Sequence, residues 1–177
     1  MAVSNPAQPG VVCLGRLDES VVAALLDRFG LSLVALADGA ELSGSYWGAP
    51  EAGLRGVHLY ARPDTPIHSI LHETAHYVCM SDTRRSDLYG DAGGDDLEEC
   101  AVCYLQILLA EHLPAPMGRQ RMLQDMDSWG YSFRQGSAAA WFAGDGQEAR
   151  AWLAAHGLID TAGRVTFRLR REGGGCA

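Results

Sequence analysis

The sequence predicts an α+β domain: an N-terminal helix and a small three-stranded sheet packed on two central helices, with a helical and hairpin extension on the C-terminal side. Three observations carry this. Residues 66–80 repeat apolar side chains at three- and four-residue steps, the period of a half-buried helix. Residues 100–110 are apolar on nearly every side, which marks a second, buried helix. Segments with strand character precede both. At 177 residues, 47% of them hydrophobic, the chain is sized for one domain with a proper core, taken as residues 1–177. Residues 1–10 read as a loose leader and 113–177 as the extension.

Asp18 caps the first helix, Val21, Val22, Leu25, Leu26 and Phe29 form its stripe, and Gly30 ends it. Residues 31–37 read as a strand stopped by Asp38-Gly39, and residues 41–47 as a second, shorter one. After a turn at 48–53, residues 54–61 alternate as a third strand and lead into the central helix. Asp64 or Thr65 offers that helix a cap. Pro66 suits its first turn, where the missing N–H would be unpaired anyway.

At the centre of this helix stands His72-Glu73-Thr74-Ala75-His76, an H-E-x-x-H pattern. Side chains at i and i+4 share a helix face, so both imidazoles can bind one metal ion. Glu73 points to the side of that axis, where it can hold a water molecule rather than the metal. A zinc site of this type needs a third protein ligand and one open position. In the second helix, Asp95 or Asp96 caps, and Glu98 and Glu99 stand in the buried first turn. Buried acids are costly unless paired or bound to a cation. Adjacent positions point about 100° apart, so the two glutamates cannot easily both be ligands.

The HETAH motif, a connecting loop and a glutamate opening a second helix resemble the gluzincin branch of the zinc metallopeptidases. More narrowly, Glu99-Cys100-Ala101-Val102-Cys103-Tyr104-Leu105-Gln106-Ile107-Leu108 is similar to the E-A-N-x-F-A-x-x-L-L segment of the ImmA/IrrE-like peptidases. Cys100-Ala101 replaces the Ala-Asn pair and Cys103 replaces the Phe. The resemblance implies a zincin-like fold, zinc held by His72, His76 and Glu99, and Glu73 as the general base. It also implies a sheet edge beside the metal cleft, along which an extended peptide pairs through backbone hydrogen bonds.

The connection at 81–94 is polar and rich in Gly and Asp, a solvated rim whose spacing does not match a calcium loop. Its Arg84, Arg85 and Tyr89 are candidates to stabilise an oxyanion. A helix follows Pro116 as far as Asp127 or Ser128, and the aromatic stretch at 129–133 serves the core or a pocket wall. Residues 137–143 form a short helix, and Asp145 caps another at 147–156, closed by Gly157. A hairpin with its turn at 161–163 ends the fold. Arg168, Arg170 and Arg171 lie on its solvated face, and Gly173-Gly174-Gly175 forms a flexible tail.

A net charge of −8 argues against a broad phosphate-binding surface, so no nucleic-acid partner is expected. No apolar run approaches the about 20 residues that span a bilayer, and the N-terminal residues lack a secretory pattern. No membrane partner is therefore expected either. Five cysteines, an odd number, predict reduced thiols and a cytoplasmic protein. Cys79, Cys100 and Cys103 read as buried and inert rather than as a second zinc site or a redox pair. The functional expectation is a Zn2+-dependent hydrolase that cuts peptide or protein substrates. A metal-dependent sensor on the same scaffold and a non-haem iron protein with the same ligands are the alternatives. Glu73 separates them, because only hydrolysis requires it.

Overall fold

A computed structural model describes residues 10–89 and 91–172. The expected leader, save Gly10, and the glycine tail at 173–175 lie outside the described residues. The described chain runs α1 (Glu19–Asp27), β1 (Ser32–Ala35), β2 (Gly53–Arg55), β3 (His58–Ala61), α2 (Ile67–Cys79), α3 (Asp82–Ser86), α4 (Asp96–Leu109), α5 (Arg119–Trp129), α6 (Ala138–Ala143) and α7 (Gln147–Ala155). The class is α+β, as expected. None of these helices is long and apolar enough to cross a membrane.

The sheet has the order β1-β3-β2, with β1 parallel and β2 antiparallel to β3. Three strands were expected, but two of them are drawn differently. Residues 41–47 form turns, because Gly44 takes a left-handed φ of 73° and breaks the extended run. The strand expected at 54–61 is instead a hairpin: Gly56, at φ 57°, turns the chain between β2 and β3. The outer side of β2 is already covered. Leu54 N–H donates to Gly44 O, Gly56 N–H donates to Leu88 O, and Arg55 bridges to Tyr89. Gly53 is needed for this cover, since a Cβ there would lie 1.9 Å from Ser43 O.

α1 starts as expected, with Asp18 Oδ1 accepting from Ser20 N–H at 2.9 Å, and it packs Val22, Leu25 and Leu26 into the core beside β1. The start of α2 differs. Pro66 itself is the cap residue, and neither Asp64 nor Thr65 caps, because the Thr65 hydroxyl accepts from Arg62 N–H at 2.9 Å. The free helix end is met by the N-terminal segment instead: Ile67 N–H donates to Val12 O at 2.8 Å. α2 is also more central than a half-buried helix. Every residue in it is buried except His72, which is half-buried.

α4 is capped by Asp95, whose Oδ1 accepts from Glu98 N–H at 2.8 Å, and it packs on α2 and on α7. Two C-terminal expectations are corrected. Asp145 does not cap α7, because its carboxylate is engaged by Arg134 at 2.7 Å and Gly146 takes the cap position. The terminal hairpin is reduced to a turn held by Asp160 and one bridge between Ile159 and Val165. Beyond it the chain crosses the end of α2, where Arg170 N–H donates to Val78 O at 3.0 Å.

Candidate metal centre

α2 presents His72 and His76 one turn apart, and the first turn of α4 brings Glu99 to both. His72 Nε2 and His76 Nε2 stand 3.1 Å apart. Glu99 Oε1 lies 3.3 Å from the first and Oε2 lies 3.2 Å from the second. Ligands about 2.0–2.1 Å from a tetrahedral ion stand about 3.3 Å from one another, and the two nitrogens are spaced close to that distance from each other and each from one oxygen of Glu99. The tautomer also fits. Gln106 Oε1 lies 2.7 Å from His72 Nδ1 and can only accept, so Nδ1 carries a proton and Nε2 is the nitrogen left to bind a metal, on losing the proton it shares with Glu99. Two imidazole lone pairs facing one another at 3.1 Å repel unless a cation or proton lies between them. The group can hold a metal ion.

Glu98 has a different task. Its carboxylate, buried in the fold, lies 2.8 Å from Arg84 Nη1 and 2.9 Å from Arg170 Nη1. Gly94, at φ 112°, lets the backbone pass close to it, where a Cβ would come 2.9 Å from Glu98 Oε1. Of the two neighbouring acids, Glu99 is thus the one beside the histidines.

Glu73 is buried and lines a cavity of about 190 Å3 together with His72, His76 and Glu99; Tyr46, Trp47 and Asp91-Ala92-Gly93 form its rim. Burial raises the Glu73 pKa, although His72 and His76 pull the other way. Glu99 goes in the opposite direction. Burial works to raise it, but hydrogen bonds and charge from His72 and His76 outweigh that and hold it well below the usual carboxylate range. One carboxylate is therefore kept ready to exchange a proton and the other is kept as an anion.

The expected oxyanion candidates stand elsewhere. Arg84 is bound to Glu98 and to Ala92 O. Arg85 is buried and donates to Tyr77 O at 2.9 Å and Met80 O at 2.6 Å, closing the end of α2. Tyr89 is exposed, with Arg55 over its ring at 4.6 Å. Tyr131, from the aromatic stretch expected in core or pocket wall, lies closer to the metal position. Its ring centroid is 5.9 Å from that of His72, its hydroxyl is 3.4 Å from His68 Nδ1, and burial pushes its pKa up to about 12. A neutral phenol at working pH can donate a hydrogen bond there.

Sequence reasoning assigned no role to Gln106, yet it was the one polar side chain on an apolar helix, two turns after Glu99 and so on the same face. Cys79 and Cys103 are buried and Cys100 is half-buried, and none of them is in a disulfide. Burial raises the thiol pKa of Cys79 and Cys100, which keeps them protonated and unreactive. Cys100 and Cys103 nevertheless line a cavity beside Glu99 rather than packed core. Comparison of the chain with family models, curated proteins and solved structures finds no match.

Proposed function

We propose that the chain is a zinc-dependent peptidase of zincin type, gluzincin-like, with His72, His76 and Glu99 holding the metal and Glu73 as general base. The observation that carries this reading is the environment of Glu73. It is a buried carboxylate with a raised pKa, it is not part of the ligand triangle, and it faces the same small cavity as the ligands. A sensor or a non-haem iron centre would need the triangle but not this fourth group. The local likeness of residues 99–108 to the ImmA/IrrE-like segment supports the same reading, and a cytoplasmic setting goes with it.

Zinc held by His72, His76 and Glu99 would act there as a Lewis acid, activating water and polarising a substrate carbonyl. Glu73 takes the proton of the attacking water and returns it to the leaving amine, for which a carboxyl pKa raised by burial is suited. His72 is held in one tautomer by Gln106, so its ring stays in place through the cycle. Tyr131 offers a hydroxyl donor on the α5–α6 side of the cleft. The sheet-edge mode of peptide binding is not carried over to β2, whose outer side is paired within the chain.

The test is metal analysis of the purified protein, then cleavage of a peptide library. One equivalent of zinc with cleavage is expected. Glu73→Gln will keep its zinc and lose activity by at least about 100-fold, the lower range for a general base. Near wild-type cleavage by that variant removes Glu73 from the role. Iron with dioxygen consumption replaces the hydrolase reading.

A further inference from the structure

A second cavity, of about 830 Å3, shares Glu99 with the cavity around Glu73, so the carboxylate beside the histidines forms part of the wall of both. Its wall is a row of aromatic rings. The Tyr131 ring is stacked with that of Phe133 at 6.4 Å and 12°, and Phe133 with Trp141 at 4.9 Å and 28°. The row begins beside His72 and leads away from it. The stacked rings cover one another's faces and present an apolar wall along which the methylene stem of a long side chain can lie. The rim carries Asp145, Glu148 and Arg134. Arg134 is engaged by Asp145 at 2.7 Å, which leaves Glu148, exposed in the first turn of α7, without an ion pair among the described residues.

We propose that this trench is the subsite for a substrate side chain with an apolar body and a cationic tip, arginine or lysine in a peptide. The proposal rests on the peptidase reading above. An acidic side chain would meet the like charge of Glu148. A purely apolar one would fill the wall and leave the carboxylate at the rim unused. The net charge of −8 adds a general attraction for basic segments, so the test must separate the local carboxylate from the overall field.

The experiment measures peptide binding to the zinc-loaded Glu73→Gln protein by calorimetry, with one peptide position varied among arginine, norleucine and glutamate in turn along the sequence. Arginine at one position is expected to bind roughly threefold tighter than norleucine, with glutamate weakest, as an exposed ion pair provides. Glu148→Lys will abolish or reverse that order. Glu19→Lys makes the same charge change on α1, which packs on β1 and does not line the trench, and will preserve it. Tightest binding by norleucine, no binding by any of the three, or an order that survives Glu148→Lys overturns the proposal. Arginine-selective binding with no cleavage of any peptide by the wild-type chain overturns the peptidase reading and leaves the subsite. Cleavage without arginine preference does the reverse.

Discussion

Removing the carboxylate of Glu99 and that of Glu98 will have different consequences, because the first faces two imidazoles and the second two guanidinium groups. Glu99→Ala is expected to lose metal affinity by far more than about 100-fold while the chain stays folded, since one of the three proposed ligands is gone. Glu98→Ala will keep the ligands but leave Arg84 and Arg170 without their carboxylate. About 3 kcal/mol is expected, or about 10 °C in Tm for a chain of this size. Competition with a chromophoric chelator and thermal melting of both variants separate the two; metal loss in the Glu98 variant alone would exchange the assignments. Gln106→Leu, which removes the acceptor at His72 Nδ1, will weaken zinc binding by about 10–100-fold with little change in fold. At this scale the placement of His72 and His76 on one face of α2 was legible, because side chains four apart share a helix face. Glu98 and Glu99 could not be separated by periodicity, since α4 is buried on most sides and both positions meet protein. The partners that tell them apart come from elsewhere in the chain, Arg84 from α3 and Arg170 from beyond α7.

Helices were the most readable elements, since α1, α2, α4, α5 and α6 each carry an apolar stripe or a local end signal, and all lie close to where the sequence places them. Strands were less so. Strand pairing is a long-range property, and the left-handed turns at Gly44 and Gly56 interrupt runs that alternate well enough on paper. The caps at Asp64, Thr65 and Asp145 failed for a related reason. A side chain able to cap is taken by a nearer or stronger partner, Arg62 N–H for Thr65 and the Arg134 guanidinium for Asp145, while a distant backbone group meets the start of α2. The element most sensitive to one added methyl is β2. Gly53→Ala would push a Cβ to 1.9 Å from Ser43 O and displace the segment that covers its outer side. A cost of about 2 kcal/mol is expected from denaturant unfolding, in the range for overpacked positions. A neutral result would mean that residues 43–45 move aside freely.

For the molecule as a whole, acid sensitivity has an identifiable source in His68. Burial, and behind it the charge of His72, pushes its pKa down to about 3, against 6.5 for a free imidazole. The unfolded chain therefore binds more protons between those values, so stability falls as the pH drops from 6.5 toward about 3, by up to about 1.4 kcal/mol per unit. Urea unfolding of chelator-stripped protein at pH 7 and pH 5 will show a smaller loss for His68→Leu than for wild type; equal losses would assign the acid lability elsewhere. The clamp on Glu98 carries a further consequence, one of timing. A chain is made from its N-terminal end, and α2 and α4 are complete long before Arg170 leaves the ribosome. Until it does, Glu98 has Arg84 alone, and the end of α2 lacks the strand-like crossing at Val78 and Cys79. A nascent chain therefore carries the two histidines and Glu99 on an unfinished frame. The frame around these three residues is completed only once the segment beyond α7 has emerged, well after the residues themselves.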